Sequence, residues 1–156
     1  MSITAEHPAA PAQQTTAQGS AARNMEVMQE VYAAFTRGDV ETAAGYWRDD
    51  CTHFYPGHSP LAGAHRGIES ALGFAGRMFE ITEGQIEMTI LDLGASEAAA
   101  YARVHTAYRK GDLHLEMMFV NISTIVDGQI QDFWTLPEDQ YAVDEFWHAA
   151  LAAEAA

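Results

Sequence analysis

The chain has 156 residues, 48% hydrophobic and 19% charged, with 22 acidic side chains against 8 Lys and Arg and a net charge of −14. This is enough apolar material for one cored domain, and so cation-poor a surface repels phosphate backbones and anionic lipid, which argues against nucleic-acid or membrane partners. A single cysteine excludes an intrachain disulfide and a cysteine-based zinc cluster. With no basic-then-apolar leader and no apolar run of bilayer length, the expected location is the cytoplasm.

Residues 1–23 are rich in Ala, Gln, Thr, Ser and Pro without apolar periodicity, so they are expected to form a flexible tail before a single domain at 24–152. Asn24 is the expected N-cap of a first helix whose apolar face is Met25, Met28, Val31, Tyr32 and Phe35. Gly38 suits the left-handed position that closes it, and Asp39 suits the cap of a short helix at 40–47. Residues 51–55 read as a brief strand stopped by Pro56-Gly57, followed by a long loop to Gly67 and a third helix at 67–79. The character then changes to strands, expected at 85–93, 98–109, 113–126 and 130–136. Lys110-Gly111-Asp112 and Asp127-Gly128 are hairpin signals. Pro137 is placed where a terminal helix can start, with Tyr141, Val143, Phe146, Trp147 and Leu151 on its apolar side. Helices followed by hairpin-linked strands predict an α+β fold with a curved antiparallel sheet.

Three stretches, VYAAFTRGDVETAAGYWRDDCTHFYPG, SPLAGAHRGIESALGFAGR and IVDGQIQDFW, resemble the SnoaL-like branch of the nuclear transport factor 2-like superfamily. The resemblance implies a cone: an α+β barrel whose curved sheet wraps around N-terminal helices and leaves a deep apolar pocket. It also implies small-molecule chemistry of the kind done by ketosteroid isomerases, polyketide cyclases, scytalone dehydratases and limonene epoxide hydrolases. The carboxylates of those enzymes are not matched here. Tyr55 stands where isomerases carry the general-base Asp, Asn121 at their oxyanion Asp, and Val31, next to Tyr32, at their helix-one Tyr. Arg103 matches the Arg of the epoxide hydrolases, but their two Asp positions hold His105 and Thr135, and Thr135 also replaces the acid/base Asp of the cyclases.

Histidines remain as the acid/base groups, since imidazole titrates near neutrality. Strand alternation puts His53 with Tyr55, and Tyr101, Arg103, His105 and Ala107 together on another face. The expected catalytic set is therefore His105 or His53 for the proton, Arg103 to orient an anionic oxygen, and Asn121 and Tyr55 as donors to a developing oxyanion. Tyr32, Phe35, Phe74, Met78, Met117, Phe119, Phe133 and Thr135 are the expected substrate-binding residues; no cofactor or metal is expected. The reading is cyclisation, isomerisation or dehydration of an apolar polyketide- or terpenoid-like molecule. A non-catalytic ligand-binding or accessory protein is one alternative. The other is a metal enzyme drawing on His53, His58, His65, His105 and His114. The strand at 113–126 is apolar on both faces, which predicts a homodimer through the outer face of the sheet.

Overall fold

In the computed structural model, which describes residues 20–156, the first helix α1 (Ala21–Thr36) starts one turn earlier than its apolar pattern suggested. Ser20, not Asn24, is the cap, its hydroxyl accepting from Arg23 N. Asn24 is instead fully buried in the helix, and its Nδ2 donates to the carbonyls of Ser96 and Glu97. The expected tail at residues 1–19 lies outside the described residues. The second helix α2 (Val40–Ala44) is shorter than expected, because β1 (Trp47–Tyr55) begins at Trp47. The loop expected after Pro56 contains a short strand, β2 (Gly63–Arg66), and leads into α3 (Ile68–Ile81).

Four strands follow: β3 (Ile86–Ala95), β4 (Ala99–Lys110), β5 (Leu113–Val126) and β6 (Gln129–Pro137), before the final helix α4 (Gln140–Glu154). The β5–β6 turn uses Asp127 and Gly128, both with positive φ (51° and 75°), the combination that matches the twist of a tight hairpin. Pro137 ends β6 rather than starting a helix, and Asp139 caps α4 by accepting from Tyr141 N and Ala142 N. Tyr141 is 88% exposed, a correction to its expected place on the buried side of that helix.

The six strands form one open sheet in the order β2-β1-β6-β5-β4-β3. It is not wholly antiparallel: β1 runs parallel to β6, pairing His53 with Phe133 and Phe54 with Trp134. The chain thus enters and leaves the sheet at neighbouring strands, and the helices cover its concave face. Two buried clusters result. One gathers Val27, Val31 and Tyr32 of α1 against β4 and β6; the other packs Phe74 and Ile81 of α3 with Phe146 and Trp147 of α4 against Tyr108 and Phe119. The architecture is the α+β cone expected from the sequence, and no helix among the described residues is long and apolar enough to cross a membrane.

Candidate functional site

A cavity of about 110 Å³ lies where the two clusters meet. Its floor is a row of side chains on the concave face. On β5 and β6, Asn121 is paired with Thr135. The parallel β1–β6 register continues the row to Tyr55, and His53 lies one inward position before it. Its walls are aromatic and thioether groups, Phe35, Phe74, Met78, Phe119 and Phe133 among them.

Polar groups enter this apolar volume in hydrogen-bonded pairs. His53 Nε2 and Thr135 Oγ1 are 2.9 Å apart. Asn121 Nδ2 donates to the Tyr32 hydroxyl at 2.7 Å, while Asn121 Oδ1 is buried with no partner among the described residues. Trp147 Nε1 donates to the Tyr55 hydroxyl at 2.9 Å. Burial pushes the phenols of Tyr32, Tyr55 and Tyr108 well above their ordinary range, so each is a neutral O–H at physiological pH.

His53 is enclosed by rings. Phe74 and Phe133 meet it edge-on with centroids 4.9 and 5.0 Å away, and Trp47 lies 5.9 Å away. Desolvation, with a smaller contribution from His65, lowers its pKa from 6.5 to about 3. His53 is partly buried and lines the cavity. His65, expected in the rim, stacks on the far side of the site on Phe74 (centroids 4.2 Å apart) and its Nε2 donates to Leu61 O.

The structure thus assembles His53, Tyr55 and Asn121 of the expected catalytic set, with Tyr32, Phe35, Phe74, Met78, Phe119, Phe133 and Thr135 of the expected binding set. Tyr32, and not the neighbouring Val31, is the helix-one residue that reaches the cavity; Val31 is wholly in the core. Arg103 and His105 are corrections. They do share a face, but it is the convex one; the concave face of β4 carries Ala100, Ala102, Val104, Thr106 and Tyr108, all buried. Arg103 is exposed, and His105 Nε2 lies 3.3 Å from Glu116 Oε1, whose other oxygen is 3.2 Å from His114 Nε2. Met117 points inward but packs in the second cluster, outside the cavity. Thr106, Tyr108, Ile86 and Met88 line the cavity unforeseen; the buried alternation through Thr106 and Tyr108 was their signal.

The histidines pooled for a metal are divided between faces, His53 and His65 inside and His105 and His114 outside. Among the described residues no group of three or more His, Cys, Asp and Glu is placed to hold an ion. A surface groove beside Arg37, Gly84 and Glu87 shares Phe35, Phe79, Ile86 and Met88 with the cavity.

The sequence pattern of the SnoaL-like domain matches residues 28–133, which includes the cavity floor on β1, β5 and part of β6. The chain belongs to the SnoaL-like family. Its fold is that of the nuclear transport factor 2-like proteins. An uncharacterised protein of Mycobacterium tuberculosis (strain ATCC 25618 / H37Rv) is 25% identical over 126 residues, covering 80% of this chain and 95% of that one. Bal32a, from a soil-derived mobile gene cassette, superposes with a TM-score of 0.78 at 27% identity over 81% of this chain and 98% of its own. An LEH-like epoxide hydrolase of Mycobacterium tuberculosis shares the fold alone, with a TM-score of 0.62 at 20% identity over 86% of this chain and 96% of its own. Among the described residues the cavity lining holds no carboxylate and one imidazole.

Proposed function

We propose that the protein catalyses cofactor-independent proton transfer on a small, apolar, carbonyl-bearing molecule, with His53 as the base. The observation that carries this reading is a neutral imidazole set into an aromatic cavity, beside a Tyr32–Asn121 pair that can receive negative charge. Where Nε2–H donates to Thr135, the lone pair of the base is on Nδ1, which no protein donor occupies among the described residues. Abstraction of a proton next to the carbonyl makes an imidazolium and an enolate. Their attraction in a low-dielectric cavity offsets part of the desolvation that holds the free imidazole neutral. Tyr32 O–H, its oxygen already engaged by Asn121, donates to the enolate oxygen. The proton then returns at another carbon, or is lost with a leaving hydroxyl, so isomerisation, cyclisation and dehydration share this first step. A polyketide- or terpenoid-like molecule fits the aromatic walls.

One observation favours a second reading, a non-catalytic ligand-binding or accessory protein: the family's usual carboxylate positions hold Tyr55, Asn121 and Thr135. His53→Gln and His53→Ala separate the two. Catalysis predicts that turnover collapses while ligand affinity stays within a few-fold; binding with no turnover by the native protein supports the accessory reading. We further propose a cytoplasmic homodimer. Its interface is the convex sheet face, where Val120, Ile122, Leu136 and Tyr101 are 38–44% exposed around the stacked Phe54 and Trp134 rings.

A further inference from the structure

We propose that the Tyr55 hydroxyl, backed by Trp147, is a second oxygen-binding subsite. The cavity then takes a neutral, single-ring-sized molecule with two acceptor oxygens, one on either side of the His53–Thr135 pair. The inference rests on the Proposed function only in taking the cavity as a ligand site.

Tyr55 is 2% exposed and lines the cavity. Its oxygen accepts from Trp147 Nε1 at 2.9 Å, and Tyr108 lines the cavity with it. The hydroxyl thus accepts from behind and retains its own proton, which makes no hydrogen bond among the described residues. Tyr32 is in the same position at the other end, its oxygen taken by Asn121 Nδ2. A phenol whose oxygen is filled from behind offers the cavity a donor, and leaving that donor unmatched is costly in a buried site, so each end selects an acceptor oxygen such as a carbonyl.

The order of the site follows from the sheet, to which Tyr32 of α1 is joined through Asn121. Tyr55, Thr135 and Asn121 occupy neighbouring strands β1, β6 and β5, each about 4.8 Å from the next. Thr135, carrying His53, is the middle of the row. Charge and size complete the ligand class. Among the described residues no Lys, Arg, Asp or Glu lines the cavity, so an anionic or cationic ligand would be buried without a partner. A volume near 110 Å³ accommodates about one ring. Two carbonyls flanking the ring also suit a base with a lowered pKa, because an electron-poor ring gives up a proton more readily.

The test uses binding, with cyclohexane-1,4-dione, cyclohexanone and cyclohexane as ring-matched probes carrying two, one and no carbonyls, titrated by protein-observed NMR. The native protein is expected to bind the dione about fivefold more tightly than cyclohexanone, the scale of one net hydrogen bond. Tyr55→Phe is expected to bring the dione down to the one-carbonyl level. Equal affinities of the native protein for the two ketones, or a dione preference that survives Tyr55→Phe, overturns the subsite and leaves His53 chemistry standing. Tyr55→Phe takes an acceptor from Trp147 and can impair folding, so a second readout uses the native protein: saturation with the dione is expected to shift the Trp147 Nε1–H resonance. An unmoved resonance overturns the subsite. If none of the three rings binds, the cavity reading beneath both proposals fails with it.

Discussion

Replacing His53 with Gln should change how the stability of the protein responds to acid, by an amount set by burial alone. In the unfolded chain the imidazole titrates at its ordinary 6.5; in the fold it titrates at about 3. Between those values the unfolded state binds more protons, so stability is full above pH 6.5 and is lost as the pH falls toward 3. The linkage gives a cost of about 0.2 kcal/mol at pH 7 and about 2 kcal/mol at pH 5, a difference near 2 kcal/mol. Carboxylates such as Asp39 and Asp50, whose capping and ion-pair hydrogen bonds lower their pKa, also weaken the fold in acid, but they act equally in both proteins and cancel. Urea denaturation of native protein and His53→Gln at pH 7 and pH 5 gives the double difference directly. The native protein should lose about 2 kcal/mol more than the variant between the two pH values. A double difference below about 0.5 kcal/mol would mean that His53 charges freely in the fold, and the neutral-base argument would fall.

Three further outcomes follow from particular contacts. Tyr32→Phe keeps the ring packed in the cavity but removes the enolate donor, and should lower turnover roughly 10²-fold with little change in substrate affinity. Asp144→Ala removes the carboxylate that accepts from His58 N and Ser59 N and so ties the loop after β1 to α4; thermal denaturation should show a loss of about 2 kcal/mol. Ile122→Lys puts a charge at the centre of the convex face without touching the cavity, and light scattering should report a monomer in place of a dimer.

Most of the architecture was legible because it is written in short-range chemistry. Asp127-Gly128 and the Lys110–Asp112 turn mark hairpins whatever surrounds them, and period-3.6 apolar residues marked α1 and α3. What strand alternation does not state is which face is concave. It grouped Arg103 with His105 correctly and left open that the small residues Ala100 and Ala102 mark the side against which α1 packs. A charged Arg103 on a strand flanked by apolar neighbours belongs with solvent unless something neutralises it. The parallel pairing of β1 with β6 was also hidden, because it joins residues about 80 positions apart and depends on where β1 returns after α2. His53, Tyr55 and Asn121 were identifiable because they stand at positions where the resemblance placed functional groups or beside one. Trp147, which donates to the Tyr55 oxygen, and Tyr108, which packs against Trp147, come from α4 and β4 and meet only in the folded chain.

The central claim, that His53 removes a proton next to a carbonyl inside this cavity, can be tested without knowing the natural substrate. Cyclohexanone incubated in deuterated water exchanges its α-hydrogens slowly, and NMR follows the exchange. The native protein should accelerate it, His53→Gln should lower the acceleration by about 10²-fold or more, and His105→Ala should leave it unchanged. Exchange that persists in His53→Gln but disappears in His105→Ala would contradict the account and move the chemistry to the convex face.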